Sequence, residues 1–284
     1  MKFDTLIQTQ ELWEHTSDPD WALIDCRFDL ADPAWGFEEY VKLHIPSAVY
    51  AHLDNDLSGT VSEKTGRHPL PEPAIFAQKL AGWGIDGTKQ VVAYDTVGGA
   101  FAARLWWLLR YFGFTRVAVL DGGLGKWINE NRPTRSGVEK RTALLVAPLI
   151  SIQPELLITT DEMVRSYKDL SYRIIDARTK ERYLGEIEPI DPIPGRIPGA
   201  SNRFHGDNLQ PNGTLKPSIV LKQEFLSLLG DISPQKTIVY CGSGVTSCHH
   251  LLAMEAAGLS GARLYLGSWS EWIRDPTRPI AKGE

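Results

Sequence analysis

A chain of 284 residues with 43% hydrophobic and 10% aromatic residues can bury one or two sizeable cores, which excludes a disordered polypeptide. Its formal charge of −5, with acidic and basic residues interspersed, excludes the basic footprint of a nucleic-acid binder and a polybasic membrane tail. Three cysteines, Cys26, Cys241 and Cys248, are too few for a secreted disulfide framework, and their spacing does not suit zinc. The first residues, Met1-Lys2-Phe3-Asp4-Thr5-Leu6, carry neither an apolar stretch nor a cleavage pattern, so no signal peptide is expected. Apolar runs such as residues 105–109 are too short to span a bilayer, and the expected compartment is the cytoplasm.

In chain order, Thr9-Gln10-Glu11-Leu12 reads as the capped start of a first helix. Residues 22–25 form a short apolar run without alternation, as suits a strand buried on both faces of a parallel sheet. Residues 73–83 are amphipathic and read as a helix, 91–94 as a second buried strand, 99–112 as an Ala/Leu-rich helix and 117–120 as a third strand. The pattern then breaks at Arg132-Pro133-Thr134-Arg135-Ser136-Gly137. The expected domains are residues 1–135 and 151–284, with 136–150 as linker. Beyond the break, Thr160-Asp161-Glu162-Met163 again looks like a capped helix start.

The second half repeats the first. Ala22-Leu23-Ile24-Asp25-Cys26-Arg27 returns 151 positions later as Arg173-Ile174-Ile175-Asp176-Ala177-Arg178. His44-Ile45-Pro46-Ser47-Ala48 returns as Arg196-Ile197-Pro198-Gly199-Ala200, and Val91-Val92-Ala93-Tyr94-Asp95 as Thr237-Ile238-Val239-Tyr240-Cys241. The segment from Val117 to Gly123, with Trp127, returns as 262–268 with Trp272. Matches in the same order at nearly constant offset mean two copies of one domain. The strand–helix alternation makes the expected fold α/β, each copy a mostly parallel sheet flanked by helices.

Ligands of open α/β sheets collect at the carboxyl ends of the strands. Cys241 ends the run 237–240 and precedes the helix-forming stretch 248–257, closed by Gly258. The loop Gly242-Ser243-Gly244-Val245-Thr246-Ser247 is small and glycine-containing, so its amides can turn inward as an anion-binding nest, aided by the positive end of the next helix. Both effects lower a thiol pKa and would hold a persulfide anion. Cys26, inside a strand, and Cys248, inside the helix, read instead as small buried hydrophobes. Cysteine phosphatases need C-x5-R to grip phosphate, and Ser247 stands where that arginine would be, which disfavours phosphate chemistry.

Through Cys241-Gly242-Ser243-Gly244-Val245-Thr246, the paired Ile-Pro-(Ser/Gly)-Ala segments and Asp121-Gly122-Gly123 with Trp127, the whole chain resembles the tandem-domain rhodanese-type sulfurtransferases, the 3-mercaptopyruvate and thiosulfate sulfurtransferase family. The resemblance implies two rhodanese-like domains, the first without a reactive cysteine because Asp95 takes its place. It implies ping-pong transfer of sulfur from 3-mercaptopyruvate or thiosulfate, through a Cys241 persulfide, to cyanide, a small thiol or a thioredoxin-like protein thiol. No metal or organic cofactor is implied. The loop looks like the mercaptopyruvate type, which favours that donor; a non-catalytic rhodanese-fold binding module is the alternative that Cys241 argues against.

The resemblance also implies site residues. Gly242, Gly244, Val245 and Thr246 would line the anion nest. Ser243 would join His68 and Asp54 in a proton relay. Arg182 would hold the donor's anionic group. By spacing alone, His68 reads as a structural histidine in a proline-bounded turn, Asp54 as a turn or cap residue and Arg182 as a solvated charge. The pattern departs from the family at a second substrate arginine nine residues after the first, which falls on Asp191; Arg196 is expected to supply the missing charge.

Overall fold

The computed structural model describes residues 3–284. In the first half, β1 (Leu6–Ile7), α1 (Thr9–Trp13), β2 (Trp21–Asp25), α2 (Trp35–Lys42), β3 (Ala48–Tyr50), α3 (Pro73–Gly82), β4 (Gln90–Tyr94), α4 (Ala102–Tyr111), β5 (Val117–Leu120) and α5 (Gly123–Asn129) follow one another. In the second come β6 (Leu157–Ile158), α6 (Thr160–Ser166), β7 (Arg173–Asp176), α7 (Lys180–Leu184), β8 (Ser201–Asn202), α8 (Ser218–Leu229), β9 (Thr237–Tyr240), α9 (Ser247–Ala256), β10 (Arg263–Tyr265) and α10 (Ser268–Trp272). The sheets are ordered β1-β5-β4-β2-β3 and β6-β10-β9-β7-β8, and every pairing is parallel. The two orders are the same order, so the repeat seen in sequence is a repeat of topology.

Local chemistry explains the repeat. Every residue of β2, β4, β5 and β9 is buried, which is why these strands read as continuous apolar runs rather than alternating ones. Asp25 at the end of β2 takes the side chain of Arg27, whose Nη2 also donates to the Leu43 carbonyl at 2.6 Å. Asp176 and Arg178 repeat this in the second half, with Nη2 donating to the Gly195 carbonyl at 2.7 Å. The Ile45 amide donates to the Tyr94 hydroxyl at 3.2 Å, and the Ile197 amide to Tyr240 at the same distance. Each Ile-Pro-x-Ala segment is thereby tied to the tyrosine that ends the central strand. Trp127 and Trp272 close the two cores, their indole N–H groups donating to Pro133 and Pro279 carbonyls.

Strand and helix positions match the expectations within about three residues at element ends, the usual fraying range. One cap differs. The second helix start is capped by Thr159, not Thr160: its Oγ1 accepts from the Glu162 amide and its amide donates to Glu162 Oε2. The neighbouring histidines His249 and His250 lie buried in α9 and share the Asn208 side chain; His250 Nε2 also meets the Arg203 carbonyl at 2.7 Å. Burial holds His250 well below its ordinary value, so it stays neutral.

The chain divides into two compact units. One comprises the chain up to Gly59, Pro71–Gln153 and Leu209–Leu215; the other comprises Thr60–Leu70, Pro154–Asn208 and Lys216–Glu284. This differs from a single cut at 136–150, a stretch that has neither helix nor strand. The segment Thr60–Leu70 groups with the second half because the amides of Gly66 and Arg67 donate to Glu271 and Ser270 on α10. No helix among the described residues is long and apolar enough to cross a membrane.

Candidate active site

β9 delivers Cys241 to its carboxyl end, beside β7. This is the point where the connections diverge: the chain leaves β7 toward β8 on one side and β9 toward β10 on the other, the topological position at which open α/β sheets bind ligands. The Cys241 amide donates to Ser268 Oγ at 3.1 Å, while its carbonyl and that of Gly242 accept the amides of Trp269 and Ser270 at 3.0 and 2.9 Å. These bonds fix the loop from behind. Gly244 holds φ +77°, and a Cβ there would overlap the Leu266 carbonyl, so the turn demands glycine.

The Cys241 sulfur accepts the Gly244 amide at 3.2 Å and the Ser247 hydroxyl at 3.4 Å. Cys241 is only 2% exposed. Burial pushes its thiol up, but hydrogen bonds from the Ser247 and Thr246 hydroxyls and from the Ser243 and Ser247 amides outweigh it, leaving the thiol below its ordinary value. The contrast with Cys26 is direct: there burial and the carboxylates of Asp25 and Asp95 push the thiol well up. Of these two buried cysteines, the one in the loop has its thiol lowered and the other has it raised. Ser247, which lacks the charge of a phosphatase arginine, donates its hydroxyl to the Cys241 sulfur. Val245 is buried in the same loop.

His68 and Ser243, 175 positions apart, share a hydrogen bond of 2.7 Å between Nδ1 and Oγ, and both are buried. Two members of the expected relay are thus in contact. Asp54 lies in the other unit, exposed, where its amide donates to His52 Nδ1 at 3.1 Å.

Above the loop stands a cluster of charge. Arg182 on α7 donates from Nε and Nη2 to Glu188 and from Nη2 to Asp191 at 3.2 Å. Asp191 is also gripped by Arg67, through Nε at 3.0 Å and Nη2 at 3.2 Å. Gly242 makes room for both guanidinium groups: a Cβ on it would lie 2.8 Å from Arg67 Nη2 and 3.4 Å from Arg182 Nη2. Arg178 is fully engaged by Asp176, Glu188 and the Gly195 carbonyl, and is structural.

Arg196 is a correction. Its guanidinium donates to the Gly283 carbonyl at 2.5 Å, lies 4.3 Å over the Tyr183 ring, and its backbone pairs with Ala281. It fastens the C-terminal segment rather than supplying charge to the loop. Arg67 is a site residue that sequence reasoning misses; the signals that could find it are its place next to His68 and the acidic Asp191 where an arginine is expected. No group of three or more His, Cys, Asp or Glu among the described residues is arranged to hold a metal ion.

A buried, hydrogen-bonded cysteine at the carboxyl edge of a parallel sheet, with guanidinium groups at its rim, is an arrangement suited to thiol-based group transfer. The rhodanese-like domain model matches residues 8–130 and 159–275, and the chain belongs to that family. It is 44% identical over 283 residues to a Pseudomonas aeruginosa protein named "Probable 3-mercaptopyruvate sulfurtransferase", covering 98% of both chains. It is 33% identical to the thiosulfate/3-mercaptopyruvate sulfurtransferase 2 of Arabidopsis thaliana, over 94% of this chain and 84% of that one. The Escherichia coli 3-mercaptopyruvate sulfurtransferase structure superposes with a TM-score of 0.81 at 30% identity, covering 95% of this chain and all of that one. The protein is a sulfurtransferase built from two rhodanese domains.

Proposed function

We propose that this sulfurtransferase carries sulfur as a persulfide on Cys241, loaded from 3-mercaptopyruvate in preference to thiosulfate and handed to cyanide or a thiol. The supporting observation is the Cys241 sulfur itself, receiving the Gly244 amide and the Ser247 hydroxyl in a buried loop. The thiolate attacks the donor's sulfur, the carbon–sulfur bond breaks, and the electron pair leaves on carbon as the enolate of pyruvate. The proton that the donor sulfur loses ends on that carbon, so the products are the persulfide anion and pyruvate. An acceptor thiolate or cyanide then attacks the outer sulfur and returns Cys241 to its thiolate.

The donor preference rests on His68 and Ser243. Cleaving 3-mercaptopyruvate requires a proton delivered to carbon, whereas thiosulfate releases sulfite, a stable anion that needs none. With the ring proton on Nε2, His68 Nδ1 accepts from the Ser243 hydroxyl, so the pair can move a proton beside the reacting atoms. In this reading Asp54 orients His68 as the third member of the relay, Arg182 binds the donor's carboxylate, and Gly242, Gly244, Val245 and Thr246 shape the nest. The enzyme works in the reducing cytoplasm, where its three free cysteines stay unpaired.

Mass spectrometry after incubation with each donor tests this. One sulfur atom added at Cys241, and removed by cyanide, is expected; no adduct from either donor contradicts the proposal. His68→Ala should lower turnover with 3-mercaptopyruvate by about a hundredfold while sparing thiosulfate. Unchanged mercaptopyruvate turnover would remove the relay.

A further inference from the structure

The start of α10 is bonded to two segments at once. Its amides face the loop of Cys241: those of Trp269 and Ser270 donate to the Cys241 and Gly242 carbonyls. Its side chains face the segment Thr60–Leu70. Ser270 Oγ accepts the Arg67 amide at 3.1 Å and donates to the Gly267 carbonyl at 3.3 Å. Glu271 Oε2 accepts the Gly66 amide at 3.2 Å, and its other oxygen accepts the Thr160 hydroxyl on α6, which fixes the carboxylate from behind. Arg274 Nε, just beyond the helix, donates to the Thr65 carbonyl at 3.3 Å. Three consecutive residues are held in this way, and the next is His68, whose Nδ1 meets Ser243 Oγ at 2.7 Å. The approach is close enough to demand glycine: a Cβ on Gly66 would lie 2.6 Å from the Gly267 carbonyl oxygen and 2.9 Å from Ser270 Oγ. Ser270, itself buried, thus ties the loop by its amide and the histidine segment by its hydroxyl.

The first copy does not repeat this latch. At the offset that pairs Trp127 with Trp272, Gly125 corresponds to Ser270 and Lys126 to Glu271. Glycine brings no hydroxyl. The Lys126 ammonium donates to Thr9 and pairs with Glu130, and an ammonium has no lone pair with which to accept an amide. Both residues that receive the histidine segment therefore belong to the copy that carries Cys241.

We propose that Ser270 and Glu271 are positioning residues for His68. By holding the loop and the histidine segment in one register, α10 keeps the ring at hydrogen-bond distance from Ser243, where a proton can pass to the carbon that leaves. A small misplacement of a proton-transferring group is costly in rate, so a latch two residues before it has a kinetic effect. The proposal rests on the reading of Cys241 as persulfide carrier and of His68 as relay, and adds to it how the histidine is placed.

A double-mutant cycle with His68 tests this in the full chain, reading kcat for 3-mercaptopyruvate and for thiosulfate with cyanide as acceptor. Ser270→Ala should lower kcat for 3-mercaptopyruvate about tenfold, since the hydroxyl that holds the Arg67 amide is gone while the backbone bond to Gly242 stays. The thiosulfate rate should fall less, because the release of sulfite needs no proton at carbon. Added to His68→Ala, Ser270→Ala should lower the mercaptopyruvate rate no further, because a residue that acts through the histidine then has nothing to position. Glu271→Ala should follow Ser270→Ala, and Glu271→Gln, which keeps an oxygen for the Gly66 amide, should recover most of the rate. Thermal unfolding identifies a variant that does not fold, and Glu271→Ala carries the cycle if Ser270→Ala is one. A folded variant with a mercaptopyruvate kcat within about twofold of wild type overturns the positioning role, and so do equal losses with and without His68. Full mercaptopyruvate turnover by His68→Ala overturns the relay reading, and the positioning role with it. Wild-type protein that gains no sulfur from either donor contradicts the persulfide reading, so the failures are distinct.

Discussion

The loops after β4 and β9 occupy equivalent places in the two sheets and close around different side chains. In the first unit Asp95 fills the nest with its own carboxylate: Oδ1 accepts the amides of Val97 and Gly99 at 2.9 and 2.8 Å, and Oδ2 those of Phe101 and Ala102 at 2.8 and 2.9 Å. In the second, Cys241 brings one sulfur to the Gly244 amide and the Ser247 hydroxyl. Behind both, the next element holds the strand-end carbonyl in the same way, the Leu124 amide on Asp95 and the Trp269 amide on Cys241. A loop of inward amides needs an anion. Where the acceptor is a carboxylate the loop is satisfied by it; under the proposed function, the same donors would favour deprotonation of the thiol and make it a nucleophile.

Exchanging the anions sharpens this comparison. The largest effect is expected for Cys241→Asp, which turns the active loop into a likeness of the inactive one. Sulfur loading should vanish, while the denaturant midpoint should correspond to a stability change within about 1 kcal/mol, because the amides keep an acceptor. Gross unfolding of this variant would mean that the two nests are not equivalent. The next effect concerns stability alone. Asp95→Ala removes the acceptor from four amides and should cost about 3 kcal/mol or more, read from the denaturant midpoint of the first unit; a loss below about 1 kcal/mol would break the comparison. Asp95→Asn, which keeps one oxygen but turns an NH2 toward two donors, should fall between.

Much of this architecture is legible in the order of residues alone. Strands buried on both faces leave unbroken apolar runs, so β2, β4, β5 and β9 can be read with errors of one residue or less at each end. The two-residue strands β1, β6 and β8 are too short to carry a pattern, and the sheet they join defines them. Cys241 is legible because its activation is local: the strand end, the glycines and the helix start are consecutive in sequence. Arg67 is not, because its role depends on Asp191 and on the Gly66 and Arg67 amides docking against α10. Arg196 shows the same limit from the other side. Its charge is visible in sequence, but the Gly283 carbonyl that claims it, 87 positions away, is not. Ser247 stands out in sequence for the arginine it is not, whereas its hydroxyl donates to the Cys241 sulfur.

The smallest expected effect is also the most direct test of the central claim, that hydrogen bonds in this loop outweigh burial and make Cys241 a thiolate. It is the pH titration of ultraviolet thiolate absorbance, taken as the difference between wild type and Cys241→Ser, with Ser247→Ala measured alongside. A lowered thiol is ionised above its folded value and protonated as the pH falls through it, so the inflection should lie below that of an ordinary thiol, with sulfur loading declining on its acid side. Ser247→Ala should move the inflection up by about one unit or less, equivalent to about 1 kcal/mol of lost thiolate stabilisation. An inflection at or above the ordinary thiol value in wild type, or none shifted by Ser247→Ala, would contradict the account.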